Sequence, residues 1–339
     1  MQSTENRKLT MARAISEALA QAMENDPRVM VWGEDVGVYG GIFGATQGLY
    51  ETFGSDRVMD TPISESAFIG AAIGASAEGL RPVVELMFID FFGVAMDQIY
   101  NHLAKNHYMS GGQVRHPVVL MTAIGAGYSD AAQHSQSLYS IFSHVPGLKV
   151  AVPSNAYDAK GMMLAAIQDD NPVLYCFHKG LMGLGWMPSD ATAEVHVPAE
   201  PYTVPLGQAR VAAEGQDVSI ITIGAMVGKA LKARGRLSRD GVSAEVIDLR
   251  TLVPLDRATV VDSVMKTHRA VIVDEDYRSY GMSAEIAALL AEEALDYLES
   301  PVRRVAVPDV PIPYSRILES TVIPSELAIV EAVRGVMES

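Results

Sequence analysis

The segment Asp60-Thr61-Pro62-Ile63-Ser64-Glu65 runs straight into Ser66-Ala67-Phe68-Ile69-Gly70-Ala71-Ala72-Ile73-Gly74-Ala75. It sets one carboxylate where extended chain turns into a helix of small residues. Pro62 steers Thr61 away from helical angles, Ser64 suits an N-cap, and Glu65 then falls in the first turn. The Gly/Ala positions leave little bulk, so the helix can press closely on its neighbours and keep water out. An acid in such a place is suited to proton chemistry. A plainer role stays open, because first-turn acids favour the helix dipole by ~0.3–1 kcal/mol. Full burial opposes ionisation of a carboxyl more strongly than a helix N-terminus favours it, so a buried Glu65 is expected to hold or share a proton near neutral pH.

Several other chemistries lose support. The Gly125/Gly127 and Gly183/Gly185 pairs lack the third glycine of a dinucleotide fingerprint. Gly224-Ala225-Met226-Val227-Gly228 imitates that fingerprint loosely and reads better as a tight strand-to-helix turn. There is no Walker A sequence, no His-Glu-x-x-His and no Gly-x-Ser-x-Gly elbow.

The elements around these residues alternate. Ile15, Ala18, Leu19, Ala22 and Met23 recur at helical spacing, and Asn25-Asp26-Pro27 ends that helix. Short apolar strands are expected at Val29 to Trp32, Pro82 to Met87, Pro117 to Thr122, Leu148 to Val152 and Pro172 to Phe177. Helices are expected at about 65–79, 92–107 and 156–168. From about Leu184 the pattern fails, and Pro188, Pro198, Pro201 and Pro205 punctuate a linker assigned to 186–205. Alternation then resumes, with strands at Val218 to Ile223, Ser243 to Ile247, Ala270 to Val273 and Val302 to Ala306. Helices follow near 226–238, 256–266, 280–297 and 324–337. Such alternation predicts two α/β domains, 1–185 and 206–339, each a mainly parallel sheet covered on both faces.

Composition agrees. At 339 residues the chain suits two domains of ordinary size, and its 49% hydrophobic and 20% charged residues suit packed cores. With 26 Lys and Arg against 41 Asp and Glu, the net charge of −15 argues against nucleic acid or an anionic membrane as partner. Cys176 stands alone, so no intrachain disulfide or CxxC site can form, which fits a reducing compartment. No apolar run reaches the ~20 residues that span a bilayer, and the N-terminal stretch from Met1 to Lys8 lacks an apolar signal core. These features point to a cytoplasmic, bacterial protein.

Asp60 to Glu65, the Gly/Ala helix, Gly79-Leu80-Arg81-Pro82 and Ala132-Gln133-His134-Ser135-Gln136 together resemble the beta subunit of the thiamine diphosphate-dependent decarboxylating component of 2-oxo acid dehydrogenase complexes. The resemblance runs from about Leu9 to the C-terminus. It implies two three-layer α/β domains, a transketolase-like pyrimidine-binding domain followed by a transketolase C-terminal-like domain. It also implies roles for named residues. Glu65 would place a proton on the distant pyrimidine nitrogen of thiamine diphosphate. Phe91 would stack on the pyrimidine ring, with Phe88 or Phe92 as the alternative contact and plain core packing as the other reading. His134 would exchange protons with the bound intermediate or meet the lipoyl arm, whereas a lone histidine is more often structural. Glu34 would be a second acid near the cofactor or a solvated loop acid. Val118, Ala166, Ile167, Asp169 and Asn171 match a potassium site in the family, oxygen ligation suiting a hard cation, or else form an ordinary helix C-terminus.

No Gly-Asp-Gly followed at a suitable distance by Asn is present, the pattern that holds magnesium and diphosphate in thiamine enzymes. The resemblance therefore implies an α2β2 heterotetramer in which an alpha subunit holds the magnesium–diphosphate end. The second domain would help assembly and dock a lipoyl-bearing acyltransferase core. His178 to Trp186 and Ser135 to Tyr139 are more similar to acetoin dehydrogenase beta subunits than to pyruvate ones. Cleavage of acetoin to acetaldehyde and an acetyl group is the first expectation for the small-molecule substrate. Pyruvate and branched-chain 2-oxo acids are the alternatives. A non-catalytic assembly or regulatory paralogue is the rival of another class.

Overall fold

The computed structural model describes residues 7–186 and 189–338. Residues 1–6, on which most of the targeting reading rests, and Pro188 of the expected linker lie outside them. The chain divides into two compact units, residues up to 124 with 141–206, and residues 125–140 with 207–339.

The first unit contains β1 (Lys8–Leu9), α1 (Met11–Asn25), β2 (Val29–Gly33), α2 (Leu49–Phe53), β3 (Val58–Asp60), α3 (Glu65–Ala77), β4 (Arg81–Phe88), α4 (Asn106–Met109) and β5 (Val119–Ile124). After α5 (Tyr139–Ser143) come β6 (Lys149–Ala151), α6 (Ala156–Gln168), β7 (Val173–His178) and β8 (Val195–His196). The strands β6-β7-β5-β4-β2-β3 lie side by side in that order, every pair parallel. Strand β5 is buried along its whole length, as a sheet covered on both faces requires. Helix α1 starts where Thr10 accepts from the Arg13 N–H at 3.3 Å, and its apolar stripe from Met11 to Met23 packs on α6.

Two expectations change here. The helix expected at 92–107 is three short pieces, a 3-10 turn at Ile89–Ala95, a π turn at Gln98–Leu103 and α4. Phe91 and Phe92 meet different rings, those of Phe88 and Phe142. The stretch expected to be a linker belongs to the first unit. Its β8 pairs antiparallel with β1, and Val204 N–H donates to the Gly161 carbonyl at 3.0 Å. Its prolines end periodicity, but its backbone still has partners to find.

The second unit carries β9 (Arg210–Ala213), β10 (Val218–Thr222), α7 (Met226–Leu237), β11 (Ala244–Asp248), β12 (Thr251–Val253), α8 (Arg257–Thr267) and β13 (Ala270–Tyr277). It ends with α9 (Met282–Glu293), β14 (Arg303–Val307), α10 (Arg316–Val322) and α11 (Glu326–Met337). Its sheet runs β14-β13-β10-β11-β9, parallel except for the edge strand β9. Val218, Ile220, Met226, Val246, Val271 and Ile329 form the centre of its core. Among the described residues no helix is long and apolar enough to cross a membrane.

Candidate active site

Three carboxyl groups gather at the C-terminal edge of the first unit's sheet, the edge where open parallel sheets bind ligands. Glu34 follows the last residue of β2, Glu65 opens α3, and Glu85 lies on β4 opposite Gly33. Gly33 permits this arrangement. A Cβ there would stand 2.7 Å from the Glu85 carbonyl oxygen, so only glycine lets the two strand ends approach this closely.

Glu65 is 8% exposed, and its carboxyl has no hydrogen-bond or ion-pair partner among the described residues. Ser64 takes the N-cap position without capping the helix. Its hydroxyl donates to the Pro62 carbonyl at 3.1 Å instead.

Glu34 is half-buried, and its carboxyl is raised above the usual carboxylate range by burial, then by the charges of Glu65 and Asp35. Its Oε1 is buried with no hydrogen-bond partner among the described residues. The loop that follows is tightly held. Asp60 accepts from the N–H groups of Gly37 at 2.6 Å and Val38 at 3.3 Å, and the Thr46 hydroxyl donates to the Val36 carbonyl at 2.8 Å.

Sequence reading missed Glu85. It is 1% exposed, and neither carboxyl oxygen has a hydrogen-bond partner among the described residues. Burial, with a smaller push from Glu34, drives its carboxyl up to about 8. The available signal was a single charged residue inside the apolar run Val83 to Phe88.

Phe91 is half-buried in the 3-10 turn after β4, its ring centroid 5.6 Å from that of Phe88 with planes at 73°. Phe88 in turn meets Phe43 edge-on at 5.5 Å. An aromatic wall thus stands at the end of the strand that carries Glu85. Acids with no hydrogen-bond partner among the described residues, and an aromatic side chain at the end of the strand that carries one of them, are groups that could hold the pyrimidine end of a thiamine-type cofactor. The donor set offers one hydrogen bond to a ring nitrogen and one flat contact.

His134 is carried by the second unit, on the segment 125–140, and is half-buried. The potassium candidates gather at the opposite edge of the first sheet from Glu65. There the Ile167 and Asp169 carbonyls accept from Arg81 at 2.9 and 3.2 Å, and the Val118 carbonyl accepts from Val173 N–H at 2.9 Å. The Ala166 carbonyl accepts from Asp169 N–H at 3.3 Å, and the Asp169 carboxylate is engaged by Lys149 and by Asn171. These oxygens are already partnered, by Arg81 and Lys149 or by backbone N–H groups, though each carbonyl keeps a second lone pair.

Residues 7–183 match the family described as "Transketolase, pyrimidine binding domain", and residues 207–329 match "Transketolase, C-terminal domain". The chain is 46% identical to the acetoin:2,6-dichlorophenolindophenol oxidoreductase subunit beta of Cupriavidus necator, over 98% of each chain. It is 45% identical to the pyruvate dehydrogenase E1 component subunit beta of Rickettsia felis, over 97% of this chain and 98% of that one. Among solved structures, a chain titled "Split gene transketolase, inactive beta4 tetramer" superposes with a TM-score of 0.77 at 24% identity, over 98% of this chain and 99% of the other. That last likeness concerns the fold alone.

Proposed function

The chain belongs to the family of transketolase-like beta subunits of acetoin and 2-oxo acid dehydrogenase components, and from that premise we propose that it carries the pyrimidine side of a thiamine diphosphate site. The observation that carries the proposal is Glu65, a buried carboxyl with no hydrogen-bond or ion-pair partner among the described residues, at the edge of a parallel sheet. Bound thiamine diphosphate supplies a carbon nucleophile that adds to a carbonyl. This chain's part is to govern protons. Glu65 would hydrogen-bond a ring nitrogen and move a proton at that atom. Glu34, which feels the charge of Glu65, and Glu85, which feels that of Glu34, are acids that resist ionising together, which keeps a proton within the cluster. Phe91 offers a ring face, and His134 moves a proton at the substrate-derived oxygen or meets the incoming lipoyl arm.

An alpha subunit supplies the metal–diphosphate end. Val38, Tyr39, Ile63 and Val94 flank the acid cluster in sequence and are exposed, an apolar rim that a partner chain would cover. The acyl group passes to a lipoyl-bearing acyltransferase core. The oxygens at 118 and 166–171 are kept as a proposed potassium site in which the cation shares carbonyls with Arg81. A melting temperature raised by potassium chloride, but not by choline chloride, supports it.

Acetoin is the proposed substrate. The identity to the Cupriavidus necator relative supports it, as does the segment from His178 onward, whose buried Lys179 sets its Nζ 5.5 Å from the Phe88 ring centroid. That segment therefore borders the aromatic wall. Pyruvate is the second reading, supported by the Rickettsia felis relative. Co-expression with an alpha subunit, followed by dye reduction with acetoin, pyruvate and 2-oxoisovalerate, decides between them. Turnover of acetoin alone supports the proposal, and preference for pyruvate moves the assignment to the second reading. No turnover of any, in an assembled heterotetramer loaded with thiamine diphosphate, leaves the non-catalytic paralogue standing.

A further inference from the structure

His134 sits on a segment that the second unit holds by carboxylates far away in sequence. Glu319, on α10, is 1% exposed. Its Oε1 accepts from the N–H groups of Gly127 at 2.7 Å and Tyr128 at 3.2 Å, and its Oε2 accepts from Ser129 N–H at 3.0 Å. Three successive backbone N–H groups closing on one carboxylate form an anion-binding nest, and here the anion is built into the chain. Glu275 adds a fourth bond, its Oε1 accepting from Ala126 N–H at 2.8 Å.

The segment is pinned beyond these bonds. The Ala126 side chain packs with Val307 and Ile312. Past His134, the Tyr277 hydroxyl donates to Gln136 Oε1 at 3.2 Å, and the Tyr139 hydroxyl donates to Asp274. The backbone between the pins is unusual. Ser129 and Ala131 both adopt left-handed angles, with φ of 60° and 62°, which side-chain-bearing residues keep only where the surroundings impose them. The nest ends at Ser129, where the first of these two residues stands.

We propose that Glu319 is a positioning residue of the His134 turn, its carboxylate fixing the backbone from Gly127 to Ser129 and so the place of the imidazole. The proposal rests on the catalytic reading of His134 given above. The carboxylate is specifically required. An amide of the same shape has one acceptor oxygen and would turn a donor toward either the Gly127 and Tyr128 N–H groups or that of Ser129.

The test uses the heterotetramer with its alpha subunit, with Glu319→Gln, Glu319→Asp and His134→Ala, singly and with the Glu319 changes placed in the His134→Ala background. Hydrogen exchange of the peptide covering 125–136 reads the hold directly. Its amides should exchange at least about tenfold faster in Glu319→Gln than in the parent, as expected when local opening becomes easier. Turnover should fall by about 10- to 100-fold, the scale of a group displaced by an ångström. In the His134→Ala background Glu319→Gln should cause no further fall, because the two act through one group. Glu319→Asp, with a shorter reach, should lie between. Parent-like exchange in Glu319→Gln, or a loss of turnover that stays undiminished in the His134→Ala background, overturns the proposal. Parent turnover in His134→Ala sinks the reading of His134 and the positioning role with it. It is told apart from a failure at Glu319 because exchange would still quicken when Glu319 is changed.

Discussion

Gly33 and Glu85 face each other across two parallel strands, so close that a methyl group on Gly33 would stand 2.7 Å from the Glu85 carbonyl oxygen. The contact seats an acid with no hydrogen-bond partner among the described residues beneath the loop that begins at Glu34, with Glu85 Oε2 3.6 Å from the Cβ position of Gly41.

Glu85 should make stability fall as pH rises. Burial drives its folded-state value up to about 8, against about 4.3 for a free glutamate. Between those values the native chain holds a proton that the unfolded chain has released, so stability is fullest below the lower value and is lost toward the upper one. The slope cannot exceed ~1.4 kcal/mol per pH unit for one group. Thermal denaturation from pH 5 to 9 should show Glu85→Gln with a flatter profile and a higher melting temperature than the parent at pH 8. Parallel profiles would mean that Glu85 is not protonated in the fold.

Glu65→Gln should cut turnover of the reconstituted heterotetramer by at least about 10²-fold, the lower range for loss of a positioned acid. The melting temperature should move by no more than about 2 °C, because the substitution keeps shape and breaks no hydrogen bond or ion pair among the described residues. Steady-state dye reduction and calorimetry together check this. Parent-like turnover removes Glu65 from the mechanism.

Lys160 should act as a structural staple. Its ammonium is wholly buried and donates to Glu17 Oε1 at 2.6 Å and to the carbonyls of Pro198, Ala199 and Glu200 at 2.8, 3.0 and 3.1 Å. Lys160→Met takes the donor from the Pro198 and Glu200 carbonyls but leaves the Ala199 carbonyl its bond from Gln21 and Glu17 its contact with Arg7, so the cost should sit near the low end of ~3–5 kcal/mol for breaking a buried pair. A fall in melting temperature of about 5–10 °C is expected. A change under 2 °C would refute the staple.

Gly37→Ala should weaken cofactor binding more than folding. The new Cβ would lie 2.7 Å from Asp60 Oδ2, the carboxylate that holds the Gly37 and Val38 N–H groups. The loop carrying Glu34 must then shift. Titration of the heterotetramer with thiamine diphosphate should show affinity lower by about tenfold, ~1.4 kcal/mol. Unchanged affinity would show that this loop does not bear on the cofactor.

Much of this molecule could be read along the chain. The strands at Val29, Pro82, Val119 and Val218 announce themselves as apolar runs, and helix α6 begins at Asn155, whose side chain accepts from Asp158 N–H. Glu65 was legible because proline, cap position and small residues all lie within fifteen positions of it. The helix expected at 92–107 was not, and there Phe92 packs on the ring of Phe142, which is remote in sequence. Strand β9 is short and half-exposed, and owes its place to pairing with β11.

Local order along the chain therefore determined most of the strands and helices and marked the acid at position 65, whereas the histidine at 134 was marked only by the resemblance of its segment to a family. That Glu85 is a buried acid with no hydrogen-bond partner among the described residues, and that Glu319 closes a nest around a turn some 190 residues earlier, was decided only on folding. A carboxylate's meaning lies in its desolvation and its partners, and both are supplied by chain that is remote in sequence.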